Sequence, residues 1–404
     1  MTLAAGTTHR AAAPVCDLDP FSDAFRADPY THYAALRAAG PAVRLSRHGV
    51  WGVARHKEAH AIFNDPATFI SGAGAGLQDL RKGKAWRLPS IVLEADPPLH
   101  TRTRGVLAKI LSGPALRSLR AAFKREADAL VGRLCAAGRF DAVADFAQAY
   151  PLKVVGDAVG VPHEGREILL PYGNMLFNSF GPPNDVFTAS AVSAKPIVET
   201  LHWQCARGQL APGSFGAQIY EAADAGQCEA AHAPVLVRSL LSAGFDTTVN
   251  GLTAAIHAFM QFPDAWTRFR ADPSRHKFFF DEAIRWESPA QTFFRTTARA
   301  CEIGGVEVPA DEKVLIFIGS ANRDPARWPD PDRFDIDRNP IGHVSFGSGI
   351  HVCVGMMLAR MEAEMLFAAL AEKVIAFEAD GEPVRRRNNT LRGFDALPVR
   401  VRLG

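Results

Sequence analysis

The sequence has few of the features that mark secreted, membrane-spanning and nucleic-acid-binding proteins. Its 404 residues include six cysteines, none of them in a CxxC pair, so neither a zinc site nor a disulfide framework is indicated. No segment approaches the ~18 consecutive apolar residues of a membrane span. The formal net charge of +2 gives no strong field for nucleic acid or a membrane surface. We therefore expect a soluble cytoplasmic protein without nucleic-acid or membrane partners.

The amino terminus also contains few signals for regular structure. Residues 1–17 are rich in Ala and Thr and contain no apolar segment of signal-peptide length. We expect them to form a flexible leader, followed by a single catalytic domain over residues 18–404. The composition, 48% hydrophobic and 22% charged, is sufficient for a large buried core.

The periodicity of the remaining chain predicts a mainly α-helical protein. Helical spacing runs from Arg102 to about Leu134, from Phe279 to Trp286 and from Gly355 to about Phe377. Residues 234–262 read as one long, mostly apolar helix. A helix that is apolar all round belongs in the interior of a protein.

Shorter segments predict small β-sheets and a long loop. Ala42–Leu45 and Val50–Ala54 are strand-like, and Gly304–Gly305 indicates a hairpin within residues 301–318. Residues 71–89 are rich in Gly and basic side chains and predict a long mobile loop. Long loops inside compact domains are often functional.

One cysteine lies in a glycine-rich loop just before a predicted helix. The run from Phe346 to Gly355 is FGSGIHVCVG, in which Gly347, Gly349 and Gly355 surround Cys353. Glycine permits tight turns and close backbone approach, and the N-terminal end of a helix lowers the pKa of a thiol. A lone cysteine in such a loop also serves for simple packing, so the loop by itself leaves both interpretations open.

The full pattern Phe-Gly-x-Gly-x-His-x-Cys-x-Gly resembles the haem-binding signature of the cytochrome P450 family. The resemblance implies a single-domain cytochrome P450 fold, mainly α with small β-sheets, with haem b between a long central helix and the helix after the cysteine loop. It makes Cys353 the thiolate ligand of the haem iron, an arrangement that favours O–O cleavage. Phe346, Gly347, His351 and Gly355 are then cofactor-binding residues.

Basic residues elsewhere match the family's positions for the haem carboxylates. The run DPPLHTRTR follows the family pattern D-P-P-x-H-x-x-x-R and places His100 and Arg104 on one helix face. Arg295 and His351 match two further positions. Taken singly, each residue reads as an ordinary surface charge. Together, the resemblance implies that they contact the haem propionates.

A charged pair matches the family's E-x-x-R motif. Glu282 and Arg285 share one helix face at i,i+3, where they can form an ion pair. Such pairs are also common on solvated helices. Arg333, in the run PDPDRFD, matches the usual third partner. The resemblance implies that these three residues have a structural role near the haem.

Polar residues recur along the long apolar helix. Arg238, Ser242 and Asp246 are four residues apart, and Ser239 and Thr247 lie beside them, so they form one polar stripe. Buried polar groups cost about 1–3 kcal/mol each when unsatisfied, so the stripe predicts a cavity or hydrogen-bonding partners. The Gly-x-Asp-Thr-Thr run equally suits a helix break with a new N-cap, and that alternative stays open.

The same run resembles the family's A-G-x-[DE]-T-T motif. The resemblance makes Asp246 and Thr247 the acid–alcohol pair that supplies protons during oxygen activation. Asp246 relays protons from outside the site, and the hydroxyl of Thr247 holds oxygen or a water by hydrogen bonding. Ala243 and its neighbouring glycine leave room for dioxygen.

Longer segments are similar to a bacterial subfamily that oxidises para-substituted benzoates. They are WRLPSIVLEADPPLHTRTR, LVRSLLSAGFDTTVNG, ESPAQTFFRTTAR, GSANRDPARW and NNTLRG, and the likeness is weakest in the leader and in residues 190–233. It implies a small aromatic acid whose carboxylate lies away from the iron and whose para substituent points toward it. A methoxy group there is hydroxylated on carbon and lost as formaldehyde, with 4-methoxybenzoate as an example.

The residues matched to the substrate suit such an acid. They are Arg87, Ser90, Leu93, Phe177, Phe180, Arg238, Ser239, Ser242, Ala243 and Phe293. Arginine and serine donors suit a carboxylate, and phenylalanines give flat apolar walls. Residues 239 and 247 are about 12 Å apart at 1.5 Å per residue, roughly a benzoate with a para group. Core packing of each phenylalanine and solvation of Arg87 stay open; the hypothesis is that Arg238 or Arg87 offsets the substrate charge.

The resemblance also implies redox partners. Bacterial members use O2 and take electrons from NADH through a flavin reductase and a [2Fe-2S] or similar ferredoxin. Arg360, just past Cys353, is a candidate ferredoxin contact, although surface solvation explains any single arginine more simply. We expect a monomer.

Three other functions compete with benzoate oxidation. The first is a monooxygenase for another small aromatic or terpenoid substrate. The second is a peroxide-driven haem enzyme, which typically lacks the acid–alcohol pair, so that Asp246 and Thr247 argue against it. The third is a non-catalytic haem-binding or sensing protein, which would need no proton relay.

Overall fold

Helices make up most of the computed structural model, which describes residues 13–83 and 87–404. The α-helices of this part of the chain are α1 Asp23–Ala27, α2 Pro29–Ala39, α3 His56–Asn64, α4 Leu99–Ile110, α5 Gly113–Ala137, α6 Ala149–Val159, α7 Leu169–Asn178, α8 Asp185–Ala194, α9 Val198–Gln204, α10 Phe215–Asp224, α11 Ala233–Gly244, α12 Asp246–Gln261, α13 Pro263–Ala271, α14 Phe279–Glu287, α15 Ile318–Ala321 and α16 Met356–Lys373. A π-helix covers Ala142–Gln148. None of these described helices is long and apolar enough to cross a membrane.

The strands are short and form small sheets. They are β1 Val15–Cys16, β2 Val43–Leu45, β3 Val50–Val53, β4 Phe69–Ile70, β5 Arg139–Asp141, β6 Thr292–Thr297, β7 Cys301–Ile303, β8 Val306–Val308, β9 Lys313–Phe317, β10 Val374–Ala379, β11 Val384–Arg385, β12 Phe394–Ala396 and β13 Pro398–Leu403. The largest sheet has the order β1-β2-β3-β9-β6-β4, and a second has the order β10-β13-β5. The predicted hairpin is confirmed as β7 and β8, joined at Gly304 and Gly305, which both have positive φ.

Strand β6 carries two predicted site residues on one face. It pairs antiparallel with β9, with Phe293 opposite Ile316 and Arg295 opposite Val314. Because successive side chains of a strand point to opposite faces, Phe293 and Arg295 share a face. Both line the same cavity, so this strand forms part of its wall.

The main sheet begins close to the amino terminus. Residues 1–12 of the predicted leader lie outside the described residues. Val15 and Cys16, which also belong to the predicted leader, pair in parallel with Arg44 and Leu45 of β2. The chain is therefore part of the sheet before residue 18.

The long helix predicted over residues 234–262 is divided into α11 and α12. The division falls at Phe245, whose φ of −96° and ψ of −68° depart from helical geometry. The amide of Val249 still donates to the carbonyl of Phe245 at 2.8 Å, and no side chain caps α12. The helix-break alternative is therefore correct, but without the N-cap, and Asp246 lies in the first turn of α12.

The other two long helical stretches also have different bounds from those expected. The helical stretch from Arg102 to Leu134 is interrupted between α4 and α5 at residues 111–112. The stretch predicted to end near Phe377 stops at Lys373, where the chain continues as β10. At both places the apolar side chains continue into the core, so hydrophobicity alone does not mark the helix end.

Helix α12 runs through the main hydrophobic core. Val249, Leu252, Ala255 and Ile256 have no exposed surface. The ring of Phe259 packs against several others, with centroids 5.0 to 6.1 Å apart. This packing fixes the helix that carries Asp246 and Thr247.

Candidate active site

A cavity extends from the loop before α16 to the N-terminal part of α11. Most of the predicted site residues line it. They are Arg87, Ser90, Leu93, Arg104, Phe177, Phe180, Arg238, Ser239, Ser242, Ala243, Thr247, Phe293, Arg295, Phe346, Gly347, His351, Cys353 and Gly355. The side chains of His100 and Asp246 lie just behind its wall.

The cysteine loop has the tight geometry that its glycines predict. Gly347 and Gly349 have φ values of 70° and 67°, in the left-handed region that favours glycine. A Cβ on Gly349 would lie 2.3 Å from the carbonyl oxygen of Phe63, so no larger residue fits. The amide of Cys353 donates to the carbonyl of Phe346 at 2.8 Å. The loop therefore holds Cys353 at the start of α16, facing the cavity.

Burial outweighs the helix end in setting the thiol pKa. Burial raises the pKa of Cys353, whereas the amides of Gly355 and Met356 and the charge of Arg104 lower it. The net pKa lies above the ordinary value, so the prediction of a lowered pKa is wrong in direction for the polypeptide by itself. The exposed surface of the cysteine belongs to the cavity that it lines. Because a coordinated metal ion deprotonates a thiol, the two amides are suited to stabilise a thiolate ligand.

Unsatisfied donors cluster beside the cysteine loop. The rings of His100 and His351 lie 4.3 Å apart between centroids, and among the described residues neither Nε2 atom has a hydrogen-bond partner. Arg295 is 4% exposed and donates to the carbonyl of Phe294 at 2.8 Å. Arg104 lies at the same end of the cavity. Buried donors without partners are costly, so this cluster is suited to receive carboxylates.

The protonation of these groups suits the same role. Burial, assisted by the charge of Arg295, lowers the pKa of His351 to about 3, against the raising effect of a backbone bond with Val92, and a carboxylate at Nε2 would favour the protonated ring. Burial also lowers the pKa of Arg295 to about 10, which leaves it charged. With Cys353 in the adjacent loop, these residues fit the two propionates and the iron of haem b.

Asp246 is a buried carboxyl with an altered pKa. It is 1% exposed, and burial raises its pKa to about 6, against the lowering effect of Arg386. Its Oδ1 lies 3.4 Å from Nη1 of Arg386, while Oδ2 has no hydrogen-bond partner among the described residues. A group with this pKa can both accept and release a proton near neutral pH.

Thr247 lies beside Asp246 and lines the cavity directly. Its hydroxyl donates to the carbonyl of Ala243, one turn earlier, at 2.8 Å. The lone pairs of that oxygen remain available as acceptors. The acid and the alcohol thus lie on opposite sides of the cavity wall, with the alcohol inside.

Space for the Asp246 carboxyl is provided by a glycine on a neighbouring helix. A Cβ on Gly173 of α7 would lie 2.4 Å from Oδ2 of Asp246. Any larger residue there would displace the carboxyl or separate α7 from α12. The packing of two helices therefore determines where this carboxyl lies.

The predicted structural pair is confirmed as a buried ion pair. Glu282 and Arg285 have no exposed surface, and their Oε2 and Nε atoms are 2.7 Å apart. Arg285 also donates to the carbonyls of Asn322 at 2.8 Å and Arg333 at 3.1 Å. Arg333, the expected third partner, contributes its backbone oxygen to this contact, and the second guanidinium at Glu282 is that of Arg338, at 3.1 Å.

The far end of the cavity contains two guanidinium groups. Arg238 is 4% exposed and donates to the carbonyl of Leu88 at 2.8 Å. Arg87 donates to the same carbonyl at 3.0 Å and forms an ion pair with Glu94 at 2.8 Å. In the described part of the chain, Arg238 has no carboxylate within ion-pair distance. Its charge is therefore buried beside the cavity without an anionic partner.

Hydroxyl groups lie near these two arginines. Ser239 and Ser242 line the cavity one turn or less from Arg238, and Ser90 faces them from the loop before α4. The hydroxyl of Ser239 donates to the carbonyl of Val235 at 2.8 Å, which leaves its oxygen as an acceptor. A ligand that accepts bonds here would compete for that hydrogen.

Aromatic rings form the apolar walls between the two ends. Phe177 and Phe180 lie 5.8 Å apart in a T-shaped pair, and Phe180 and Phe293 lie 5.7 Å apart. Leu93 packs against the same cluster, together with Ala75. These side chains form a narrow apolar section that suits a flat ring.

Four charged residues at or behind the cavity escape the sequence reasoning: Glu94, Arg338, Glu362 and Arg386. Glu94 has a local signal, since it lies four residues after Ser90. Glu362 also has one, as an acid on the apolar part of α16, where burial raises its pKa well above the ordinary value. The two arginines meet their partners only through the fold, and no local pattern marks them.

Comparison with known proteins gives one family. A family profile described as Cytochrome P450 matches residues 277–391. The cytochrome p450 CYP199A2 of Rhodopseudomonas palustris is 52% identical over 394 residues, which is 97% of this chain and 96% of that protein. The cytochrome P450 monooxygenase PikC of Streptomyces venezuelae is 33% identical over 409 residues, 99% and 97% of the two chains.

A solved structure shows the same fold. Cytochrome P450 CREJ in complex with (4-ethylphenyl) dihydrogen phosphate aligns with a TM-score of 0.86 over 95% of this chain and 99% of that chain. At 24% identity this likeness concerns the fold alone. The predicted fold class, mainly α with small sheets in one domain, is confirmed.

Proposed function

The chain belongs to the cytochrome P450 family and is a haem-thiolate monooxygenase, and from that premise we propose that it oxidises para-substituted benzoates such as 4-methoxybenzoate. The observation that carries the proposal is the buried charge of Arg238 at the end of the cavity opposite Cys353. A buried charge without a counter-ion is strongly unfavourable. A bound carboxylate would provide the counter-ion.

The shape of the cavity supports a flat aromatic acid. The phenylalanine walls lie between the arginine end and the cysteine end. A benzoate with its carboxylate near Arg238 and Ser239 would direct its para group toward Thr247 and Cys353. The similarity of long sequence segments to benzoate-oxidising members of the family supports the same orientation.

The overall reaction consumes one O2, two electrons and two protons for each substrate. With 4-methoxybenzoate, one oxygen atom enters the methyl C–H bond, and the resulting hemiacetal breaks its C–O bond to give 4-hydroxybenzoate and formaldehyde. The other oxygen atom leaves as water. When bound, the haem supplies the activation of O2.

The protein's own part is to deliver protons and exclude bulk water. Asp246, with a pKa of about 6, can take a proton from the Arg386 side and pass it toward the Thr247 hydroxyl. Thr247 can then donate to oxygen inside the cavity. A peroxide-driven enzyme needs no such relay, and so this pair supports the O2-dependent reaction.

The electrons come from NADH through a flavin reductase and a [2Fe-2S] or similar ferredoxin in this proposal. Arg360 is an unsuitable principal contact, because its guanidinium is held by Asp281 at 2.9 Å. It is nevertheless 31% exposed and also lies over the ring of Phe346, which places a positive charge beside the cysteine loop. Comparing turnover with NADH and both partners against peroxide alone tests the electron source.

The substrate proposal is tested by titrating the ferric protein with 4-methoxybenzoate and with the neutral 4-methoxybenzamide. We expect the acid to shift the haem absorption toward high spin and to bind more tightly than the amide. In Arg238→Gln the affinity for the acid should fall at least about tenfold, while the affinity for the amide changes little, since about 1.4 kcal/mol corresponds to tenfold.

Arg166→Gln provides a matched control. Arg166 is also buried, at 6% exposed, but it is held by backbone carbonyls and by an ion pair with Asp157 at 2.8 Å, away from the cavity. This variant should keep the preference for the acid. Equal affinity for acid and amide in the natural protein, or an equal loss in both variants, would contradict a benzoate site at Arg238.

A further inference from the structure

The arginine end of the cavity contains more charge than a carboxylate needs. Arg87 and Arg238 both line the cavity and converge on the carbonyl of Leu88, at 3.0 and 2.8 Å. Two uncompensated guanidinium groups would suit a doubly charged ligand. Glu94, which pairs with Arg87, reduces the number of uncompensated positive charges from two to one.

Glu94 compensates Arg87 from outside the cavity. Its side chain is 2% exposed, and its Oε2 accepts from Nη1 of Arg87 at 2.8 Å and from the amide of Ser90 at 2.9 Å. Charge-assisted bonds of this kind are strong when buried. The charge of Arg87 is thus balanced within the protein, whereas Arg238 has only a carbonyl partner in the described ranges.

Other charges lie further from the cavity and are already held. The ammonium of Lys313 donates to the carbonyls of Ala73 and Gly74 at 3.0 and 2.9 Å, and it is attracted to Glu94 from behind. Arg81 is paired with Asp79 at 2.7 Å. Glu94 bonds directly to Arg87 and acts on Arg238 only at longer range, so among the described charges the difference between the two arginines rests on that direct bond.

We propose that Glu94 limits this end of the cavity to a ligand with one negative charge, by neutralising Arg87 and leaving Arg238 for the substrate. Glu94 does not line the cavity, so it acts through Arg87 as a positioning residue that determines specificity. The inference rests on the proposed carboxylate site. A monocarboxylate fits the remaining charge, whereas a dianion such as a phenyl phosphate has one charge too many.

The test uses three ligands that share a para-ethyl ring and differ in charge: neutral 4-ethylbenzamide, 4-ethylbenzoate and 4-ethylphenyl phosphate. Their affinities are measured by spectral titration of the ferric holoenzyme at pH 7.5 and checked by calorimetry. The variants are Glu94→Gln, Arg87→Gln and the double variant. Glutamine keeps the shape of glutamate and an oxygen acceptor for the Ser90 amide, and removes the charge. The reduced carbon-monoxide spectrum verifies that each variant holds haem.

Each single substitution changes the net charge of the site by one, and this change determines which ligand each variant should favour. In E94Q the phosphate should bind at least about tenfold more tightly relative to the benzoate. In R87Q the preference for benzoate over benzamide should fall at least about tenfold, because Glu94 is then unpaired. The double variant restores the original charge and should regain most of the lost preference.

A merely structural role for Glu94 gives a different pattern. The double variant would then be at least as poor as R87Q, and E94Q would weaken all three ligands alike. Either result overturns the inference. So does an unchanged ratio of phosphate to benzoate affinity in E94Q.

A change of pH provides a measurement on the natural protein, with Asp246→Asn as the control because Asp246, whose pKa is about 6, titrates in the same interval. The second pKa of a phosphate ester is about 6, so between pH 5.5 and 7.5 the phosphate passes from monoanion to dianion while the benzoate keeps one charge. The ratio of phosphate to benzoate affinity should fall at least about fivefold, since the dianion leaves a buried charge uncompensated. A constant ratio contradicts the inference. Failure of the benzoate itself to bind better than the benzamide contradicts the proposed function instead.

Discussion

The pKa of Asp246 is affected by a side chain that its own helix does not supply. Nη1 of Arg386 lies 3.4 Å from the carboxyl, and its Nε lies 2.9 Å from Asp395, which is 55% exposed. The guanidinium thus joins a buried acid to one at the surface. Burial raises the pKa of Asp246 and Arg386 lowers it, so the value of about 6 is a balance between the two.

The first residue-scale prediction concerns Arg386→Gln. Removing the guanidinium leaves the effect of burial unopposed, so the pKa of Asp246 should rise above 6 and the acid should stay protonated further into the neutral range. Infrared difference spectra across pH 5 to 8 would follow the protonated carboxyl, with Asp246→Asn to assign its band. The fraction of consumed O2 that yields product should then change with pH around a higher midpoint than in the natural protein.

Arg386→Lys is the control for this prediction, because it keeps the positive charge and changes the shape. In this variant the titration midpoint of the Asp246 carboxyl should stay closer to pH 6 than in the glutamine variant. An identical midpoint in the natural protein and in Arg386→Gln would mean that Arg386 does not set this pKa. The buried acid would then owe its value to other neighbours.

At this scale the sequence predicts residues whose roles are set by local pattern. Cys353, Asp246 and Thr247 are predicted from the sequence because their motifs are continuous in the chain and carry the family resemblance, and the structure places Cys353 and Thr247 on one cavity. Arg386 is not found, since it reaches Asp246 across 140 positions of sequence. The direction of the Cys353 pKa is also missed, because burial depends on the whole fold.

Among the structural elements, the loop over residues 71–83 is tied down more than its composition suggests. It contains no helix or strand, as predicted. The amide of Leu77 donates to the carbonyl of Phe180 at 2.8 Å, and the carbonyl of Ala75 accepts from Phe294 at 3.0 Å. The ammonium of Lys313, on β9, holds two further carbonyls. The loop is thereby joined to elements on both sides of the cavity.

We expect Lys313→Met to release this loop. Lys313 is 9% exposed, and although burial lowers its pKa to about 8, it carries a charge at pH 7. The substitution removes the donor to the carbonyl of Gly74 and leaves that of Ala73 with the amide of Leu80, at a cost of about 1–3 kcal/mol in the free energy of unfolding. Hydrogen exchange in residues 71–83 should become faster, and the melting temperature should fall.

Lys82→Met is the control, because it replaces an exposed lysine of the same loop and leaves Lys313 in place. Lys82 is 63% exposed and lies 3.6 Å from Asp79, a contact worth little in solvent. Exchange in this variant should resemble that of the natural protein. If both variants exchange alike, Lys313 does not anchor the loop.

Element boundaries illustrate what periodicity leaves undetermined. The apolar stripe runs through Phe245 without interruption, so the sequence favours one helix where the structure has two. The Gly-x-Asp-Thr-Thr run allows the break that periodicity misses, and the hydroxyl of Thr247 bonds the carbonyl of Ala243 across it. The glycine at position 173 has meaning only once α7 and Asp246 are in contact.

At the scale of the whole molecule, the chain brings together segments that are far apart in sequence around one cavity. The helical part supplies Thr247 and Arg238, the main sheet supplies Arg295 and Phe293, and the loop before α16 supplies Cys353. These parts must keep their relative positions for the site to exist. Glu282 and Arg285 on α14 are the buried charges that hold the segment after α15 against the helices.

Glu282→Gln should therefore damage the whole site although Glu282 does not line it. Its carboxylate accepts from Arg285 at 2.7 Å, from Arg338 at 3.1 Å and from the amide of Asp335 at 3.0 Å. Breaking a buried pair from one side leaves the other charge uncompensated, which costs about 3–5 kcal/mol. Urea unfolding should show this loss, and haem content should fall with it.

Asp128→Asn, which breaks the exposed pair with Lys124, should change the unfolding free energy by less than about 0.5 kcal/mol. If the two variants are equally stable, the Glu282 pair does not hold the site together, and the packing of α14 with α12 and α16 must do so instead.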